Sequence, residues 1–160
     1  DDAVERTRAA LGDGRLAGIL WHQGESDTRP QRAAHYEERL TELIERFRND
    51  LDSPDVPFVI GQLGQFEGKP WTDARRQVDK AQREVAELVP RSGFVSSGGL
   101  TAMADNTHFN RQSLQEFGRR YAAAYLEVVA ESDEPWAPGL WNSAKRSSVA
   151  AARSKGSMDS

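Results

Sequence analysis

The sequence predicts an α/β fold, a parallel sheet with helices on its faces. Three observations carry that expectation. Amphipathic helical stretches and short apolar runs alternate as α-β-α-β-α-β-α, the order of a parallel sheet with crossover helices. The apolar runs empty into glycines and polar residues, and ligands of open α/β sheets bind just beyond the carboxyl ends of the strands. The composition, 38% hydrophobic and 29% charged over 160 residues, is that of one ordinary globular domain with a real core.

Taken in order, residues 2 to 11 set Val4, Ala9, Ala10 and Leu11 among charges and end at Gly12-Asp13-Gly14, a helix C-terminus and turn. Leu16–Trp21 is an apolar run bounded by turn formers, read as the first buried strand. It is followed by His22-Gln-Gly-Glu-Ser-Asp27, and Pro30 suits the first turn of a helix. From Gln31 to Leu51 the apolar positions Tyr36, Leu40, Leu43, Ile44, Phe47 and Leu51 form one helical face, with Glu37, Glu38, Glu42, Glu45, Arg46 and Arg48 on the other.

Asp52 to Pro57 breaks that helix, and Pro57–Leu63 reads as the second strand. A loop, Gly64 to Pro70, leads to a helix from Asp73 with Ala74, Val78, Ala81, Val85 and Leu88 in its stripe. Pro90 stops it, and Gly93–Ser97 is the third strand. Asn110 can cap a last helix whose inner face is Leu114, Phe117, Tyr121, Tyr125, Val128 and Val129. Three strands fall short of the roughly five or six of a doubly wound sheet. Residues 1–141 are therefore expected to be the carboxyl-terminal portion of a longer domain.

Bulk properties exclude several classes. There is no cysteine, hence no disulfide, thiolate metal site or cysteine nucleophile. No run approaches the roughly 18 apolar residues of a membrane span, and no signal-peptide pattern opens the chain. The net charge of −4 gives no nucleic-acid footprint. Residues 142–160 stand apart: Lys145, Arg146, Arg153 and Lys155 against Asp159 give them a net +3 with almost no large apolar side chain, so a mobile basic tail is expected. Compartment is left open, with a secreted or periplasmic setting favoured.

Two polar constellations follow strand ends. In the first, Gln23, Gly24 and Glu25 are a site candidate, while Ser26 and Asp27 serve equally well as helix caps. In the second, Asp105-Asn-Thr-His108, the carboxylate can accept the imidazole Nδ1–H and leave the other nitrogen outward as a general base. An amide N–H₂ and a glycine N–H beside such a base suit a developing oxyanion. His22, His35 and His108 show no metal-ligand spacing, so neither a metal nor another cofactor is expected. His35, amid charges on a helix, should face solvent.

Trp21-His-Gln-Gly-Glu-Ser-Asp27, Val78-Asp-Lys-Ala-Gln-Arg-Glu-Val85 and Asp105-Asn-Thr-His-Phe-Asn110 together resemble the sialate O-acetylesterase-like family, carbohydrate esterase family six of the SGNH hydrolases. The likeness runs from about residue 3 to 130. It implies a three-layer α/β/α fold of SGNH or flavodoxin-like type and a serine esterase acting on acetylated carbohydrate such as sialic acid or xylan units. By resemblance Gln23 stands in the oxyanion hole with Gly24 beside it, Asp105 and His108 are orienting acid and base, and Glu25 holds the loop by hydrogen bonds.

One departure is large. The family's nucleophile sits in a Gly-Gln-Ser-Asn motif after the first strand, and no Gly-Gln-Ser occurs here: Gly61-Gln62 precedes Leu63, and Gly64-Gln65 precedes Phe66. Ser26, Ser96, Ser97 and Ser157 lack any pattern that marks an activated serine. The expectation is a fragment inactive without its upstream serine-bearing segment. The alternative is a non-catalytic carbohydrate-binding module or relic, with Gln23, Glu25 and His108 contacting sugar. A third reading keeps the hydrolase but changes the ester or thioester. Phe66 and Trp71 could stack on a sugar ring or equally well be ordinary loop packing, while Trp136 and Trp141 are expected to pin the chain's exit to the body.

Overall fold

A computed structural model describes residues 2–131, so Ser157, Trp136, Trp141 and the basic tail lie outside the described residues. In chain order the elements are α1 (Asp2–Leu11), β1 (Ile19–Trp21), α2 (Pro30–Ala33), α3 (Tyr36–Asp50), β2 (Phe58–Gly61), α4 (Asp73–Leu88), β3 (Ser92–Val95) and α5 (Arg111–Ala130). The strands lie in the order β1-β2-β3 and pair in parallel, Ile19 opposite Phe58 and Phe58 opposite Ser92.

Alternation along β2 creates three layers. Phe58 and Ile60 pack with Tyr36, Leu40 and Ile44 of α3 and Val78, Ala81 and Val85 of α4. Val59 points the other way, to Val95 of β3 and to Phe117 and Tyr121 of α5. All three β2 side chains are wholly buried, and each such burial contributes about 1.5–3 kcal/mol. The expected α/β/α architecture is therefore present, with a strand that is apolar on both faces at its centre.

The amino end of the sheet is closed by one cation. Arg48 of α3 donates to the Val56 carbonyl at 3.3 and 3.1 Å and to the Arg91 carbonyl at 3.1 Å. Burial, and then the nearby Arg91 charge, lower its pKa to about 10. On the opposite face α5 is strapped to the first strand's segment: Tyr121 donates to the Trp21 carbonyl at 2.8 Å and Tyr125 to the Ala17 carbonyl at 3.1 Å.

Several details differ from the sequence reading. The strands are Ile19–Trp21, Phe58–Gly61 and Ser92–Val95, each shorter than the run expected for it, and the third begins one residue early and ends two residues early. The helix expected from Gln31 to Leu51 is broken at His35, whose backbone (φ −114°, ψ 7°) leaves the helical region before Tyr36 starts α3. Ser26 and Asp27 do not cap α2: a 3₁₀ turn, Glu25–Asp27, intervenes, and the N-cap of α2 is Arg29 with no side-chain cap bond. Leu88, Leu114 and Val129 are 39%, 56% and 37% exposed although the periodicity put them inside. The buried stripe of α5 instead runs through Ser113, Phe117, Tyr121 and Val128, and Leu114 falls to its flank.

Candidate active site

The loop after β1 is fixed by groups far away in sequence. The Gln23 carbonyl accepts from the Tyr36 hydroxyl and from Gln82 Nε2, each at 2.9 Å, and Gln82 Nε2 also lies 3.2 Å from the Tyr36 oxygen. Burial raises the Tyr36 pKa, so the phenol keeps its proton and remains a donor. The Gln23 side chain donates from Nε2 to Asp27 Oδ2 at 2.7 Å.

Gly24 has φ +143°, and an added Cβ would stand 3.1 Å from Val78 Cγ1 and 3.2 Å from the Tyr36 oxygen. Both the conformation and the space demand glycine. Glu25 enters this bonding through its backbone, its carbonyl accepting from the Thr28 hydroxyl at 2.8 Å. The side chains holding the loop are Gln23, Asp27, Tyr36 and Gln82. Asp27 thus bonds Gln23 rather than capping a helix.

The Asp105–His108 turn is built locally. Asp105 Oδ2 accepts from His108 Nδ1 at 2.6 Å, and Oδ1 accepts from the Thr107 and His108 backbone N–H at 2.9 and 3.0 Å. The bond from the His108 ring, followed by the two backbone N–H groups, holds the Asp105 carboxyl well below the usual carboxylate range. An ionised Asp105 can only accept, so Nδ1 carries the proton of this bond and Nε2 is the ring nitrogen turned away from Asp105. His108 opens to solvent with its side chain 75% exposed.

Gln62, just past the carboxyl end of β2, joins the parts, a role the sequence reading missed. It is wholly buried, donates to Asp79 Oδ1 at 2.6 Å, and accepts at Oε1 from Ser97 N–H at 2.8 Å and Ser96 Oγ at 3.1 Å. Its carbonyl lies 3.3 Å from His22 Nε2. The His22 ring meets Phe109, the neighbour of His108, at 5.7 Å and Phe117 at 5.5 Å. The β1 loop and the Asp105–His108 turn therefore meet at one edge of the sheet. A polar amide straight after an apolar strand was the available signal for Gln62. For Gln82 the signal was a polar residue inside the stripe Val78, Ala81, Val85.

The loop from Gly64 to Pro70 is different from what its aromatics suggested. Phe66 is 7% exposed and packs edge-on to Phe109 at 5.0 Å, so it plugs the core and cannot stack on a sugar. Trp71 is half-buried, donates to the Gly64 carbonyl at 3.2 Å and lies under the Arg75 guanidinium at 5.6 Å.

No described serine is poised to attack. Ser97 is wholly buried and donates to the Leu63 carbonyl at 2.8 Å, Ser96 donates to Gln62, and the exposed Ser26 sits in the 3₁₀ turn, its carbonyl accepting from Arg32. His35 faces solvent, 3.8 Å from Glu38. Among the described residues, no three His, Cys, Asp or Glu side chains gather as a metal site, and no helix is long and apolar enough to cross a membrane.

Comparison with known proteins gives the lineage. A protein of Arabidopsis thaliana described as a probable carbohydrate esterase is 29% identical over 114 residues, 71% of this chain and 41% of that one. The X-ray structure of an Arabidopsis thaliana protein superposes with a TM-score of 0.68 at 28% identity, covering 78% of this chain and 50% of the other. A novel carbohydrate acetylesterase from Xanthomonas citri shares the fold, with a TM-score of 0.62 at 22% identity over 78% of this chain and 28% of its own. The chain thus spans less than half the length of the curated relative it matches. The family model described as carbohydrate esterase, sialic acid-specific acetylesterase, matches residues 1–127, from α1 through most of α5, and the chain belongs to that family.

Proposed function

We propose that this chain carries the base and the oxyanion side of a serine-type carbohydrate acetylesterase whose serine lies on a segment outside these 160 residues. One observation carries the reading: the 2.6 Å bond from His108 Nδ1 to an ionised Asp105, which leaves Nε2 as an outward-facing base. His108 Nε2 takes the serine hydroxyl proton as Oγ adds to the acetyl carbonyl carbon. The Gln23 amide and the Gly24 N–H face the oxyanion, and Asp105 stabilises the imidazolium. The imidazolium then gives its proton to the departing sugar oxygen. Water, deprotonated by the same nitrogen, attacks the acetyl-serine, the serine Oγ–acyl bond breaks, and the imidazolium returns the proton to Oγ as acetate leaves.

The outer edge of β1 supports a contribution from elsewhere. Leu20, central in that strand, is 61% exposed. β1 is an edge of the described sheet, and a further parallel strand there would pair with its open backbone, flank Leu20 and bring its own carboxyl end beside His22. Acetylated sialic acids or xylan units suit such a site, and with them a secreted or periplasmic setting.

The test pairs this chain with a longer reading frame that adds the serine. The chain alone is expected to hydrolyse acetyl esters no faster than its His108→Ala variant. The longer protein is expected to be active and to lose about a millionfold on His108→Ala or on removal of the serine. Hydrolysis by the isolated chain that His108→Ala abolishes would overturn the placement of the serine. The absence of a poised serine among the described residues favours a second reading, a sugar-binding module using Gln23, Glu25 and His108. An inactive longer protein that binds acetylated sugar would establish it.

A further inference from the structure

An Asp–His pair this exposed, with side chains 47% and 75% accessible, is weakly held by its own attraction. A general base nonetheless has to stay within hydrogen-bond reach of the proton it takes. Something beneath the pair must supply that precision.

The connection between β2 and α4 grips the turn at two points. Below, Phe66 is packed on Phe109, the residue after His108. Above, Lys69 Nζ donates to Thr107 Oγ1 at 3.2 Å, and Gly68 sits so close to Asn106 that an added Cβ would be 2.7 Å from its Cγ and Oδ1. Asn106 takes a left-handed conformation, φ +52°, which Asn adopts readily, so a Cβ at Gly68 must displace its side chain or the tip that carries it. His108 lies between the two grips. The connection is stiffened in turn, because Trp71 Nε1 and Arg75 both donate to the Gly64 carbonyl, at 3.2 and 3.1 Å, and Lys69 N–H donates to the Phe66 carbonyl at 3.0 Å.

From this we propose that Gly68 and Lys69 are positioning residues that set the orientation of His108 through the Asn106–Thr107 tip. Its consequence for catalysis rests on the reading of Asp105 and His108 as the acid–base pair; the clamp itself does not.

The Asp105 carboxyl reports the geometry, since the His108 ring bond is the main cause of its depressed titration. The experiment follows its carboxyl carbon by NMR in the 160-residue chain. It uses about 1 M salt, where the bare charge of Lys69 is screened beyond about 3 Å. Gly68→Ala is expected to move the Asp105 midpoint up toward the ordinary value of about 3.9. Adding Asn106→Gly removes the clashing side chain at a position that tolerates glycine, and is expected to bring the midpoint back down. Lys69→Met is expected to give a smaller upward shift.

An unchanged Asp105 midpoint in both Gly68→Ala and Lys69→Met, with native amide spectra, overturns the clamp. If Gly68→Ala does not fold, Lys69→Met alone decides. No activity enters the measurement, so its failure would leave the esterase reading where it stands, and an inactive longer protein would leave the clamp intact.

Discussion

The two loops that meet at the sheet edge are held in opposite ways. The Gln23 loop is fixed by partners 13 and 59 residues away, Tyr36 and Gln82, which converge on one backbone carbonyl. The Asp105–His108 turn closes on itself through bonds that span two or three residues. The first is half-buried and depends on α3 and α4 being docked. The second is exposed and self-templating, with outside contacts at its tip and at Phe109. The contrast suits the roles proposed above, since an oxyanion site must not yield as charge develops, whereas a general base needs only to be held within reach of its proton.

The contrast is broken most sharply by activity. In a serine-bearing longer protein, His108→Ala should cost about a millionfold in kcat while the unfolding midpoint stays close to that of the parent. The opposite wall should answer in stability. Gln82→Leu removes one of two side-chain donors to the Gln23 carbonyl, and urea unfolding should register about 1–2 kcal/mol. Tyr36→Phe and Gln82→Leu together should cost more than their sum, because only the double variant strips the carbonyl of both donors.

Smaller still is the pH effect of the exposed pair. The folded Asp105 titrates below its unfolded value, so its stabilising contribution is present above the ordinary carboxyl range of about 3.9 and is lost as pH falls below it. Asp105→Asn should flatten that part of a stability–pH curve by lowering stability slightly at neutral pH, with parent and variant converging in acid. At the bottom of the scale, His35→Ala touches only the exposed Glu38 contact and should stay within about 0.5 kcal/mol of the parent.

What could be read from the sequence follows the same division. Asp105 and His108 were legible because their bond spans three residues and needs no knowledge of the fold. The cap of α5 was legible for the same reason, Asn110 accepting from Ser113 N–H at 2.9 Å. The β2 core was legible from a run of apolar residues in a βαβ order. Gln82 was not read as a ligand of Gln23, since a pairing across 59 positions exists only once α4 lies on β2. For Phe66 the sequence left sugar stacking and loop packing both open, because an aromatic in a loop signals surface only when nothing fills the space beneath, and here Phe109 lies there. The helix break at His35 had no signal at all, neither proline nor glycine.

The two tyrosines of α5 have a consequence for how the chain is made. Their bonds to Trp21 and Ala17 span 100 and 108 positions, so the first strand's segment stays unlatched until α5 has left the ribosome. At about 5–20 residues per second, that leaves the Val59 and Val95 face of the sheet uncovered for several seconds or more during synthesis. Apolar surface exposed in this way is open to other chains. The nascent chain is therefore at greatest risk of misassembly before α5 is complete, and removing that helix should yield insoluble material rather than a smaller stable domain.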